Sequence, residues 1–82
     1  MTSEVALAAR RETAQAQLAT WQTELTAQQA RLSDPTHGAA AREAIRKLEL
    51  EVFSQAGRAK FHGLPEAEAH KKLMGDIQAA LR

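Results

Sequence analysis

The sequence predicts an all-α protein: a long antiparallel helical hairpin, coiled-coil-like, followed by a shorter third helix. Three observations carry that prediction. A seam of positions stepping alternately by four and three runs through Leu7, Arg11, Ala14, Leu18, Trp21, Leu25, Gln28 and Leu32. That is the spacing of a helix whose narrow face lies along another helix. Two proline-bearing segments, Ser33-Asp34-Pro35 and Gly63-Leu64-Pro65, divide the chain into three stretches. No stretch alternates apolar and polar residues as a half-buried strand would, and the abundant alanine favours helix because it loses no side-chain entropy there.

Helix one is expected over residues 2–32. Thr2 or Ser3 can cap its first turn, and Glu4 suits the positive end of the helix dipole. At 1.5 Å per residue it would be roughly 45 Å long, well beyond the usual globular helix. Such length suits a hairpin.

Helix two is expected over 36–62. Asp34 is a strong N-cap residue, and Pro35 lacks only an N–H that a first helical turn leaves unused. Gly38 weakens the first turn, so the firm helix is expected from Ala39. Its apolar residues fall in two stripes. Ala41, Ile45, Leu48, Val52, Ala56 and Ala59 form one; Leu50, Phe53, Gly57 and Phe61 form another, well to one side. The short connection makes helices one and two antiparallel neighbours. The expected pairing starts beside the turn with Leu32 against Ala41. It continues with Leu25 against Ile45 or Leu48, Trp21 against Leu48 or Val52, and Ala14 against Ala56 or Ala59.

Helix three is expected over 65–81. Gly63 suits a helix C-cap and Pro65 the first position of a new helix. Its apolar arc holds Ala69, Leu73, Ile77, Ala80 and Leu81, with Met74 at the margin and Lys71, Lys72, Gln78 and Arg82 opposite. It is expected to fold back over the Leu50, Phe53, Gly57 and Phe61 stripe, with Gly57 as a notch for close approach. The other arrangement leaves that stripe for a neighbouring chain.

The 82 residues make a single helical domain, 1–82, and contain no cysteine, which excludes disulfides and thiolate metal sites. The net charge is only +1; three basic and four acidic groups precede Pro35, and eight and six follow from there on. A protein that binds DNA mainly through phosphates usually shows a clear basic excess. No apolar run approaches the ~20 residues that span a bilayer, and the start shows no signal-peptide pattern.

These observations predict non-enzymatic protein–protein interaction: a structural or adaptor subunit of a larger assembly that binds a protein partner or self-associates. The partner-binding residues are expected to be Leu50, Phe53, Gly57 and Phe61. Arg11 and Gln28, polar groups inside the seam, are further candidates for setting register or partner choice. No catalytic residue, cofactor site or small-molecule substrate is expected. His62, Glu66 and His70 are spaced by four, but Gly63 and Pro65 interrupt the helix that would bring all three together as metal ligands. Glu66 and His70 then read as an ordinary surface pair. The expected location is cytoplasmic, or within a phage or secretion assembly.

Two local resemblances bear on function. Residues 59–73 resemble the helix-turn-helix of bacterial winged-helix regulators of the IclR type at Ala59, Gly63, Leu64 and His70. Arg58 and Lys72 depart from that pattern, standing where it buries apolar side chains. The resemblance implies a small nucleic-acid-binding regulator, with Arg58, Lys60, His62, Lys71 and Lys72 as its contact residues. Ser33-Asp34-Pro35 and the segment Asp76-Ile77-Gln78-Ala79-Ala80 are similar to the turn and C-terminus of type III secretion needle subunits. Gly63-Leu64-Pro65 interrupts the long second helix that such subunits require.

Overall fold

In the computed structural model, which describes residues 4–82, three helices follow one another: α1 (Glu4–Gln29), α2 (Gly38–Phe61) and α3 (Glu66–Ala80). The predicted Thr2 or Ser3 cap lies outside the described residues. α1 and α2 form the long hairpin, and α3 returns along it, packing on both helices and most extensively on α2. The result is a slender body of 53 × 18 × 15 Å. α3 runs antiparallel to α2: the Arg42 guanidinium, near the start of α2, donates to the carbonyl of Leu81 at the end of α3.

The core draws on all three helices. Leu18, Trp21 and Leu25 of α1 meet Ile45, Leu48 and Val52 of α2, and Leu73 and Ile77 of α3 complete the cluster. Leu32, Met74, Ala80 and Leu81 pack at its edge. Fully burying a side chain of this kind stabilises by about 1.5–3 kcal/mol, so these few residues dominate the stability of so small a chain. Ala41 and Ala59 extend the buried stripe of α2 towards both ends, where small side chains let the helices approach.

The seam of α1 is buried only from Ala14 to Leu25. Leu7 and Arg11 are exposed, and no described residue before Ala14 is buried. α1 also stops three residues earlier than the seam spacing implies. Ala30 still donates to the carbonyl of Thr26, but Arg31 and Leu32 donate to Gln28 and Gln29 in tighter i to i−3 bonds. The last turn narrows because the chain must reverse within a few residues.

Asp34 organises that reversal. Its Oδ1 accepts from the backbone N–H of Thr36 at 2.8 Å and of His37 at 3.2 Å, and its carbonyl accepts from Gly38 at 2.7 Å. These are the bonds of an N-cap, as expected, although regular α-helix begins at Gly38 with His37 before it. The backbone donors lower the Asp34 pKa, with the His37 ring adding to the effect. Gly38 has a steric reason for being glycine: a Cβ there would stand 2.7 Å from the carbonyl oxygen of Leu32.

α2 ends as the sequence suggests. Gly63 has φ 68°, the N–H of Leu64 donates to Ala59 and that of Gly63 to Lys60. This paired 6→1 and 5→2 pattern is a Schellman cap, and it buries Leu64 together with Ala59.

Two expectations for α3 are corrected. Ala69 is exposed, and the inward face carries Glu66 and His70 in addition to Leu73 and Ile77. α3 does fold back, but it does not cover the Leu50, Phe53, Gly57 and Phe61 stripe. It lies instead against the core stripe of α2 and against Trp21 of α1, where apolar surface from two helices is available at once.

Candidate functional site

The outer face of α2 is the candidate interaction surface. Leu50 is 71% exposed, Phe53 69% and Phe61 86%. A Cβ placed on Gly57 would have no atom within 4 Å, so the glycine is not a notch for α3. The placement follows from helical geometry. Residues 50, 53, 57 and 61 are offset around α2 from the inward residues 45, 48, 52 and 59, and both α1 and α3 pack on the inward side. Phe61 makes one ring contact, edge-on to His62 at 5.3 Å between centroids.

Arg11, expected to set register or partner choice, is engaged within the chain. Its Nε donates to both carboxylate oxygens of Glu66, at 3.1 and 3.2 Å, and Nη2 donates to Oε2 at 3.1 Å. Gln15 donates to the same oxygen at 3.0 Å. The Arg11 hydrogen bonds, with help from Gln15, lower the Glu66 pKa to about 2. Arg11 and Gln15 are one helical turn apart, so both reach the start of α3 from one face of α1. Gln28 is likewise satisfied locally, donating to Glu24 at 2.9 Å.

Glu66 and His70 do not form a surface pair. Glu66 is only 8% exposed and His70 only 1%. The Nδ1 of His70 donates to the backbone carbonyl of Glu66 at 2.7 Å, and the ring meets Trp21 edge-on with centroids 5.7 Å apart. His70 therefore takes the place of an apolar core residue. The signal that could have found this is spacing: 66, 70, 73 and 77 form a helical stripe that a search for apolar residues alone passes over.

The residues of the nucleic-acid alternative are dispersed over α2, the connection and α3. Arg58, Lys60, Lys71 and Lys72 are exposed, and His62 accepts from Arg10 at 3.1 Å. His70, which matches the helix-turn-helix pattern, is inside the core. Beside Arg58 and His62 a cleft of about 420 Å³ opens between α1 and the end of α2, with Ala14, Ala59, Leu64 and His70 among its lining residues. Among the described residues no group of three or more His, Cys, Asp or Glu side chains could hold a metal ion. Among the same residues no helix is long and apolar enough to cross a membrane.

The fold and surface thus define, among the described residues, three helices built on a hairpin, with an uncovered apolar face on α2. No family model, no curated protein and no solved structure matches the chain.

Proposed function

We propose that this chain is a non-enzymatic interaction module, a structural or adaptor subunit that docks through Leu50, Phe53, Gly57 and Phe61. The observation that supports it is the exposure of Leu50, Phe53 and Phe61 along one side of α2 after the third helix has taken its place. Single exposed apolar residues are ordinary on soluble surfaces. Here three large ones share one helix face around a bare glycine. Covering each would stabilise a complex by about 1.5–3 kcal/mol before the costs of association. A cytoplasmic setting, or a place within a phage or secretion assembly, fits this reading.

The test compares the wild type with Phe53→Ser/Phe61→Ser. Solution mass across a concentration series and retention of any co-purifying protein are the readouts, with helicity as the folding control. Loss of assembly or of the bound protein is expected. Unchanged mass and unchanged binding would overturn the proposal. The alternative regulator would instead show a salt-sensitive shift of nucleic acid that disappears on Lys71→Glu/Lys72→Glu.

A further inference from the structure

We propose that a second copy of this chain covers the outer face of α2, packed antiparallel about a twofold axis that passes between Ser54 and Gln55. This rests on the interaction reading above and names its partner.

The argument begins with charge placement. Glu49 and Glu51 precede the midpoint at Ser54 and Gln55; Arg58 and Lys60 follow it at the same distances. Glu49 and Lys60 lie along one flank of the apolar stripe, Glu51 and Arg58 along the other, as the helical repeat of about 100° per residue requires. Glu51, Arg58 and Lys60 are exposed and Glu49 is half-buried. None of the four makes an ion pair among the described residues. In an antiparallel pair related by a twofold axis, residues on one flank meet the same flank of the partner helix, at positions mirrored about the axis. Glu49 therefore faces Lys60 of the second copy, and Glu51 faces its Arg58. Symmetry makes each pairing twice. A parallel pairing in register would bring opposite flanks together, setting Glu49 beside the second copy's Glu51 and Lys60 beside its Arg58, where like charges repel.

The apolar residues obey the same register. Phe53 and Gly57 straddle the axis, so the ring of Phe53 falls over the bare backbone of Gly57 in the second copy. The absence of any atom within 4 Å of the Gly57 Cβ position leaves that space open. Leu50 lies one turn further out, on the Glu51 side of the stripe, beside Phe61 of the second copy. Arg46 reaches the carbonyl end of the facing α2, where the helix dipole favours a cation.

The chain has no cysteine, so one introduced thiol reports the geometry. Ser54→Cys, beside the axis, should form a disulfide-linked dimer on mild oxidation, whereas Gln78→Cys on α3 should not. Sedimentation equilibrium of the full chain should show a dimer whose midpoint moves at least tenfold to higher concentration in Glu51→Arg and in Arg58→Glu. Glu51→Arg/Arg58→Glu together should restore it, because the reversed pair is again complementary. Helicity of each variant controls for folding. A monomer at all concentrations overturns the proposal, as does a dimer indifferent to the single reversals or not rescued by the double one. A monomer that still loses a bound heterologous protein on Phe53→Ser/Phe61→Ser overturns the self-pairing alone and leaves the interaction reading standing. A monomer with no such loss overturns both.

Discussion

The guanidinium of Arg11 clasps the carboxylate of Glu66 across 55 positions of sequence, with Nε 3.1 Å from Oε1 and Nη2 3.1 Å from Oε2. This bond joins the N-terminal third of α1 to the first turn of α3. It ties the first turn of α3 to α1, while Leu73 and Ile77 seat the rest of the helix in the shared core.

A pH dependence follows from that clasp. The Arg11 hydrogen bonds, with Gln15, hold the Glu66 carboxyl at about 2 in the folded chain, below the usual carboxylate range. A depressed carboxylate contributes stability that is fully present above its unfolded pKa and lost as pH falls through the folded value. The thermal midpoint should therefore fall between about pH 4.5 and 2. Asp34 is lowered as well and acts in the same direction. Glu66→Gln should be less stable than the wild type at pH 7, and the difference should shrink towards pH 2. A difference that is constant across this range would show that the ion pair contributes nothing.

Core and surface apolar residues should separate cleanly. Ile45 and Ile77 have no exposed surface, so Ile45→Ala or Ile77→Ala should cost about 2–5 kcal/mol. Phe53→Ser, on the outer face, should change the stability of the monomer by no more than about 0.5 kcal/mol. Urea titration followed by the fluorescence of Trp21, the only tryptophan and a core residue, measures both.

Two glycines should respond in opposite directions. Gly63→Ala forces a left-handed conformation on a residue with a side chain and should cost about 1–2 kcal/mol. Gly57→Ala, inside a helix with open space around it, should stabilise the monomer by about 0.5–1 kcal/mol. Thermal denaturation at low protein concentration compares them.

Gly38→Ala tests the turn. The neighbour at 2.7 Å is the Leu32 carbonyl oxygen, a backbone atom that cannot swing aside. The helix propensity gained is smaller than the strain introduced, and a net loss of about 1–3 kcal/mol is expected in the same denaturation experiment.

The helices themselves were legible in the chain because their causes are local. The four-and-three repeat from Ala14 to Leu25, the Asp34 cap and the Gly63 cap each act within a few residues. The inward stripe of α2 was legible for the same reason: of its six expected residues Ala41, Ile45, Leu48, Val52 and Ala59 are buried, and Ala56 is half-buried. The stripe at Leu50, Phe53, Gly57 and Phe61 was also visible, but whether α3 covers it was not. That depended on Glu66 and His70, polar residues on the inward face of α3. Glu66 can be buried only because Arg11 and Gln15 satisfy its oxygens, and His70 only because the Glu66 carbonyl and the Trp21 ring receive it. The sequence by itself determined where the helices lie and which side of α2 meets the core. The tertiary structure decided which polar groups enter the interior and which apolar face stays outside, because burying a polar group requires partners that lie far apart in the chain.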